Sequence, residues 1–455
     1  MEKTILINPA TEEEIASYDR LSKSEATSRI ATAHQTFQNW KKTSLDERIT
    51  LMRKLADIFD QNKETYAKMA TQEMGKTIGQ ARSEIEKCAM ICRYYADNIH
   101  TLVKDDMVAT EATKSYVTFQ PLGVILAVMP WNFPFYQVIR FAVPAVMAGN
   151  TGVLKHASNV QGCAMALENA FAKAGFPTGV FTNLNIASDA VENVIENDHI
   201  VAVTLTGSDP AGRSVASIAG KHLKKTVLEL GGSDAYIVLD DADLDKATDL
   251  ATYGRLQNNG QTCIAAKRFV VLASIYDEFI TQYTQKMEAA TMGDPLDENT
   301  YYGPMARVDL RDELHEQVEE TIAQGGRLVT GGKIPKQKGA YYPATILADL
   351  TPGMTGFDQE LFGPVASVIK AKDEEEAIRL ANNSQFGLGS GVITGDSLRG
   401  EQIALRLEAG NSFVNKLVAS DPRLPFGGIK TSGYGRELAK YGIREFMNTK
   451  SIWIE

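Results

Sequence analysis

Two successive runs of short apolar strands alternating with helical segments leave few folds open to this chain. In the first run, Gly123–Val128 (GVILAV), Thr151–Leu154, Phe181–Asn185 and Ala202–Thr206 read as strands. Gln137–Met147, Gln161–Ala174, Ala187–Glu196 and Pro210–Ala219 read as the helices between them. The second run begins near Gly232. Strand Ala235–Leu239, helix Leu244–Asn258, strand Arg268–Leu272 and helix Ile275–Ala290 continue to about Val414. Uninterrupted apolar strands separated by helices predict parallel sheets covered on both faces. Two such α/β blocks predict a cleft between them as the place for a ligand.

The flanks read differently. The first hundred residues are expected to be helical. Ser44 and Glu47 have the spacing of a capping box, and Ile49, Leu51, Met52, Leu55, Ile58 and Phe59 follow on one helical face. A second helix is expected over about Gln80–Leu102, where Cys88 and Cys92 share a face and read as core rather than as metal ligands. The final Ser451–Glu455 (SIWIE) is β-prone and is expected to pair with another subunit or domain.

Composition bounds the function classes. Lys+Arg 47 against Asp+Glu 57 gives a net charge of -10, which disfavours a nucleic-acid binder. No apolar run reaches the roughly 18 residues of a spanning helix, and the first residues lack the basic-then-apolar layout of a secretory signal. Four scattered cysteines do not make a disulfide framework. The expectation is a soluble, multi-domain, cytoplasmic protein with reduced thiols and no membrane or nucleic-acid partner. The six histidines show no ligand spacing, and Lys246 stands where a calcium loop after Asp241, Asp243 and Asp245 needs glycine. No metal is expected.

Three local segments carry possible chemistry, and each has a bland alternative. Cys263, in Asn259-Gly260-Gln261-Thr262-Cys263, follows a helix that ends at glycine. It is either an approachable nucleophile or a structural thiol. Glu229, in Leu228-Glu229-Leu230-Gly231-Gly232, ends an apolar strand, where burial favours a general base; a carboxylate satisfied by backbone N–H groups reads equally well. Asn132, between prolines at the end of GVILAV, either donates to an oxyanion or makes a turn.

Taken with Thr204–Ser208, Asp358–Pro364 and Pro425–Glu437, these segments resemble the aldehyde dehydrogenase superfamily over essentially the whole chain. Within it the chain is most similar to the bacterial succinate-semialdehyde dehydrogenase branch, through LELGGSDAYIVLDDADLD and NNGQTCIAAKRF. The resemblance implies two Rossmann-like α/β domains and a small β oligomerisation element. Residues 1–102 and 122–231 would bind cofactor, 232–430 would be catalytic, and 103–121 with 431–455 would assemble a homodimer or homotetramer. It also implies roles. Cys263 attacks the aldehyde carbon, Asn132 and the Cys263 N–H hold the oxyanion, hydride leaves for a nicotinamide, and Glu229 activates the water that hydrolyses the thioester.

No G-x-G-x-x-G occurs in the chain. The family uses Thr206–Gly212 instead, with Gly207 and Ser208 leading into a helix whose N-terminus receives a pyrophosphate. By the same resemblance Glu360 meets the nicotinamide ribose, Phe362 packs near the nicotinamide, Lys155 meets the adenosine ribose, and Trp131 is a further cofactor-binding residue. Where NAD-preferring members carry a glutamate, this chain has Ser158. Without a carboxylate to repel a 2'-phosphate, NADP is the expected cofactor, with NAD possible.

For the substrate, Arg140 lies eight residues after Asn132, at the branch's carboxylate-binding position, with Tyr136 one turn earlier. The branch's second arginine is Gln257 here, which shifts weight to Arg140 with Ser420. The relatives' second cysteine is Ala265, so a local disulfide switch is excluded. Succinate semialdehyde is the expected substrate. A broad aliphatic aldehyde dehydrogenase and, from another class, a cofactor-independent thiol esterase using Cys263 and Glu229 are the alternatives.

Overall fold

In the computed structural model, which describes residues 2–455, the chain folds around two α/β sheets with helices on both faces. The first has six strands in the order Gly433–Tyr434, Lys225–Glu229, Ile200–Thr206, Val124–Met129, Thr151–His156 and Phe181–Asn183. All but Gly433–Tyr434 run parallel. The second has seven, in the order Arg327–Thr330, Thr345–Ala348, Val365–Ala371, Arg268–Leu272, Ala235–Val238, Gly389–Ile393 and Asn411–Val414. Only Arg327–Thr330 is antiparallel to its neighbour. The central strands are buried almost throughout, because helices cover them on both sides.

Four local expectations need correction. The chain opens on a hairpin, Lys3–Ile7 with Glu14–Asp19, ahead of the first helix. In its first strand Thr4 and Leu6 are buried while Ile5 and Ile7 face outward, so polar and apolar residues do not alternate with burial and no period-2 signal results. Ser44 does cap the helix Leu45–Gln61, but only one half of the expected box forms. Glu47 N donates to Ser44 Oγ at 3.1 Å, while the Glu47 carboxylate stays in solvent. The reciprocal box belongs to Ser22 and Glu25 at the start of helix Lys23–Trp40. The helix expected to reach Asn258 ends at Leu256, and Gln257–Gly260 forms a tight turn with Asn258 and Asn259 left-handed, at φ 54° and 56°. Asparagine tolerates that region better than most side chains.

The fourth concerns the C-terminus. Its strand runs over Met447–Ile454 and pairs within the chain, antiparallel to Lys114–Pro121, which also pairs with Asp106–Met107. Gly433–Tyr434, expected in that element, adds instead to the first sheet, against Leu228 and Glu229. The helix Ile78–Leu102 carries Cys88 and Cys92, both fully buried in the core beneath the first sheet. Among the described residues no helix is long and apolar enough to cross a membrane, and no cluster of His, Cys, Asp or Glu could hold a metal ion.

Candidate active site

The carboxyl ends of the first sheet's parallel strands carry most of the residues singled out in the sequence. Trp131 and Asn132 follow Val124–Met129, Lys155 ends Thr151–His156 with Ser158 just beyond, Gly207 and Ser208 follow Ile200–Thr206, and Glu229 ends its strand. This is where parallel sheets bind ligands. The facing segments lead into the second sheet: the Cys263 turn before Arg268–Leu272, and Glu360 with Phe362 before Val365–Ala371.

Buried amides stitch the two edges together. Asn132 Nδ2 donates to Gln261 O at 3.2 Å, and Asn258 Nδ2 donates to Asn132 O at 2.8 Å and Gln261 O at 3.0 Å. Asn259 spends its amide on Gly75 O and Pro304 O and accepts from Gly303 N. Gly260 is left-handed at φ 75°, and a Cβ there would overlap the main chain of Gly363 and Pro364. That close approach brings the Cys263 turn against the segment carrying Glu360 and Phe362.

Cys263 is half-buried and opens onto a solvent-connected cleft of about 810 Å³, which Tyr136, Arg140 and Ser420 also line. Burial pushes its thiol up to about 11, although Arg140 and Lys267 pull the other way. At rest the sulfur therefore carries its proton. Lys267, itself buried, donates to Thr262 O at 3.0 Å and Cys263 O at 2.7 Å and pairs with Glu360 at 2.9 Å.

Glu229 is buried, and neither of its carboxylate oxygens has a hydrogen-bond partner. Burial, and then the Glu437 charge, push it well above the usual carboxylate range against the pull of Arg140. It faces the Arg140–Glu437 ion pair, and neither Glu229 nor Asn132 lines the cleft wall. Arg140 is therefore both a cleft residue and half of an internal ion pair, and its Nη2 lacks a hydrogen-bond partner. Tyr136 precedes it by one turn on helix Tyr136–Met147, and the Tyr136 hydroxyl lies 2.7 Å from Ser420 Oγ. Glu84 caps that helix, accepting from Phe135 N at 2.8 Å and Tyr136 N at 2.9 Å.

A dinucleotide fits the residues present. Ser208 starts the helix Asp209–Lys221 without a side-chain cap, so first-turn N–H groups are free for phosphate, and Thr206 Oγ1 is buried without a partner. Trp131 and Phe362 meet edge to face, with centroids 5.8 Å apart. Glu360 Oε1 accepts from Gly232 N at 3.1 Å, and a side chain at Gly231 would collide with the Glu360 carboxylate. Lys155 is buried and donates to Ser188 Oγ at 3.2 Å, while Ser158 is exposed.

Several supporting residues escape a reading of the sequence. His156 Nε2 lies 2.8 Å from Pro134 O, and its Nδ1 lies 3.1 Å from Met129 O and 3.0 Å from Ala157 N, contacts that fix the turn holding Trp131 and Asn132. Burial drops its pKa to about 4, so the ring is neutral. Glu437 and Glu84 act through partners remote in sequence, and Lys267 joins the neighbouring Cys263 turn to the remote Glu360. Glu437 lies in Pro425–Glu437 and Lys267 in NNGQTCIAAKRF, but neither segment indicates a partner, and nothing local marks Glu84.

Two parallel α/β sheets meeting at a cysteine, an asparagine and a buried glutamate define the class: this chain belongs to the aldehyde dehydrogenase family, whose model matches residues 2–452. It is 49% identical over 448 residues, 98% of this chain and 99% of the relative, to a probable succinate-semialdehyde dehydrogenase (NADP+) of Synechocystis sp.. It is 46% identical over 449 residues, 99% of this chain and 97% of the relative, to a succinate semialdehyde dehydrogenase (NAD(P)+) of Escherichia coli. The structure of succinic semialdehyde dehydrogenase from Streptococcus pyogenes in complex with NADP+ superimposes with a TM-score of 0.97 at 39% identity, covering 99% of both chains.

Proposed function

We propose that this chain oxidises succinate semialdehyde to succinate with NADP, and with NAD less well. The observation that carries the reading is the wall of the Cys263 cleft, where Arg140, Tyr136 and Ser420 offer a cation and two hydroxyls to a distal carboxylate. The names of the full-length relatives support it.

Cys263 is the nucleophile. Its thiolate adds to the aldehyde carbon, and the oxygen's charge is met by the Asn132 amide and the Cys263 N–H. One such donor is worth about 3 kcal/mol. Trp131, Phe362 and Glu360 would hold the nicotinamide end of the cofactor, Gly207 and Ser208 its pyrophosphate, and Lys155 with Ser158 the phosphorylated ribose. A dinucleotide, when bound, would supply the hydride acceptor, leaving the substrate's carbonyl carbon on Cys263 Sγ as a thioester. Glu229 takes a proton from the water that hydrolyses this thioester. Burial raises its proton affinity, so once ionised it accepts a proton more readily than a solvated carboxylate does.

In this reading residues 1–102 and 122–231 form the cofactor-binding domain and 232–430 the catalytic domain. Residues 103–121 and 431–455, apart from Gly433–Tyr434, form the oligomerisation element of a cytoplasmic homodimer or homotetramer. The strand Met447–Ile454 lies at a sheet edge with Trp453 and Ile454 exposed, which suits pairing with a second copy.

A steady-state panel of succinate semialdehyde, glutarate semialdehyde and butyraldehyde, each with NAD and NADP, tests the proposal. The highest kcat/KM is expected for succinate semialdehyde with NADP. Equal kcat/KM for butyraldehyde would overturn the substrate, and equal kcat/KM with NAD the cofactor preference.

A further inference from the structure

Three charged side chains line the Cys263 cleft, and two of them are already committed. Glu84 pairs with the buried Lys76 and caps the helix that starts at Tyr136. Arg140 pairs with Glu437. The third, Lys87, sits on helix Ile78–Leu102 and has no carboxylate partner among the described residues. Its Nζ donates to Ser420 Oγ at 2.9 Å and lies 4.3 Å from the Tyr136 ring centroid. Ser420 in turn bonds the Tyr136 hydroxyl at 2.7 Å. The nearest acid in sequence to Ser420, Asp421, is held by Arg423 at 2.6 Å. An ammonium, a hydroxyl and a phenol thus converge in a cleft whose remaining wall includes Phe133, Ile264 and Phe426, with neutral Gln257 beside them. A half-buried cation against an aromatic face, whose hydrogen-bond acceptor is a neutral hydroxyl, is poised for an anion.

We infer that Lys87 is the specificity-determining residue of the cleft, binding the distal carboxylate of an aldehyde acid together with Ser420 and Tyr136, while Arg140 is shared with Glu437. This rests on the substrate reading above and names the group that enforces it. Burial, and then the Arg140 charge, bring Lys87 down to about 8, outweighing Cys88, Asp421 and Glu84, which act the other way. The clamp therefore loses its charge within the range where the enzyme can be assayed.

The test is the ratio of kcat/KM for succinate semialdehyde to that for butyraldehyde. Both react at the same sulfur, so titration of the thiol cancels. Lys87→Met is expected to lower the ratio at least tenfold at pH 7, through KM for the semialdehyde rather than through kcat. Lys87→Arg is expected to keep most of it, and thermal melting with NADP confirms that each variant is folded. In the wild type the ratio should fall between pH 7 and 9.5, and in Lys87→Arg it should stay level. A ratio unmoved by Lys87→Met, or lost equally in Lys87→Arg, overturns the role of Lys87 and leaves the substrate reading standing. A wild-type ratio near one overturns the substrate reading and the inference with it.

Discussion

The Lys267 ammonium donates to the main-chain carbonyl of Cys263 at 2.7 Å while pairing with Glu360 at 2.9 Å, so one buried cation ties the nucleophile's turn to the segment that carries Phe362. Its charge also lowers the thiol's proton affinity. Lys267→Met is expected to reduce kcat/KM, by about tenfold for each unit that the thiol pKa rises when the cation is lost. Alkylation of Cys263 at pH 8 should slow in the same variant. An unaltered alkylation rate would show that the ammonium does not act on the sulfur.

In the cofactor-free enzyme the thiol sits near 11. Iodoacetamide should therefore modify it about tenfold faster for each pH unit between 7 and 10, with no plateau. The other three cysteines are buried and do not compete. A plateau below pH 8 would mean that the resting sulfur is already ionised.

Glu229, with its unpartnered oxygens beside Glu437, is assigned to deacylation. Glu229→Gln should give a burst of about one reduced cofactor per site, followed by turnover slowed about a hundredfold or more. Rapid mixing followed by the reduced nicotinamide's absorbance reads both phases. Loss of the burst itself would move Glu229 to an earlier step.

How much of this was legible in the sequence depends on the range of the interaction. The strand Val124–Met129 and the helix Gln161–Ala174 announce themselves because periodicity and composition are local. Cys263, Glu229 and Asn132 stand out through motifs beside turns. Lys87 does not: on its helix it reads as one more solvent-facing charge beside Arg82, Glu86 and Arg93, and its partner Ser420 lies 333 positions away. The Arg140–Glu437 pair is hidden in the same way. The break after Leu256 leaves no local mark, because Gln257–Asn259 carries no proline and the two left-handed asparagines follow from the packing of Gly260 on Gly363 and Pro364, not from local preference.

His156 offers a stability test of the turn that presents Asn132. Its folded pKa of about 4 lies below the unfolded value near 6.5, so the unfolded chain takes up the proton first as pH falls. The stabilisation is fully present above about pH 6.5 and is lost as pH drops toward 4. Denaturant melts of wild type and His156→Gln, which cannot titrate, should converge by about 2 kcal/mol between pH 7.5 and 5. A constant difference across that range would mean that the ring is not held neutral.

The account depends most on the Cys263 sulfur. Cofactor reduction by Cys263→Ser, measured with saturating succinate semialdehyde and NADP in a protein whose melting temperature matches the wild type, tests it directly. A fall of at least a thousandfold is expected, and a rate equal to that of the wild type would contradict it.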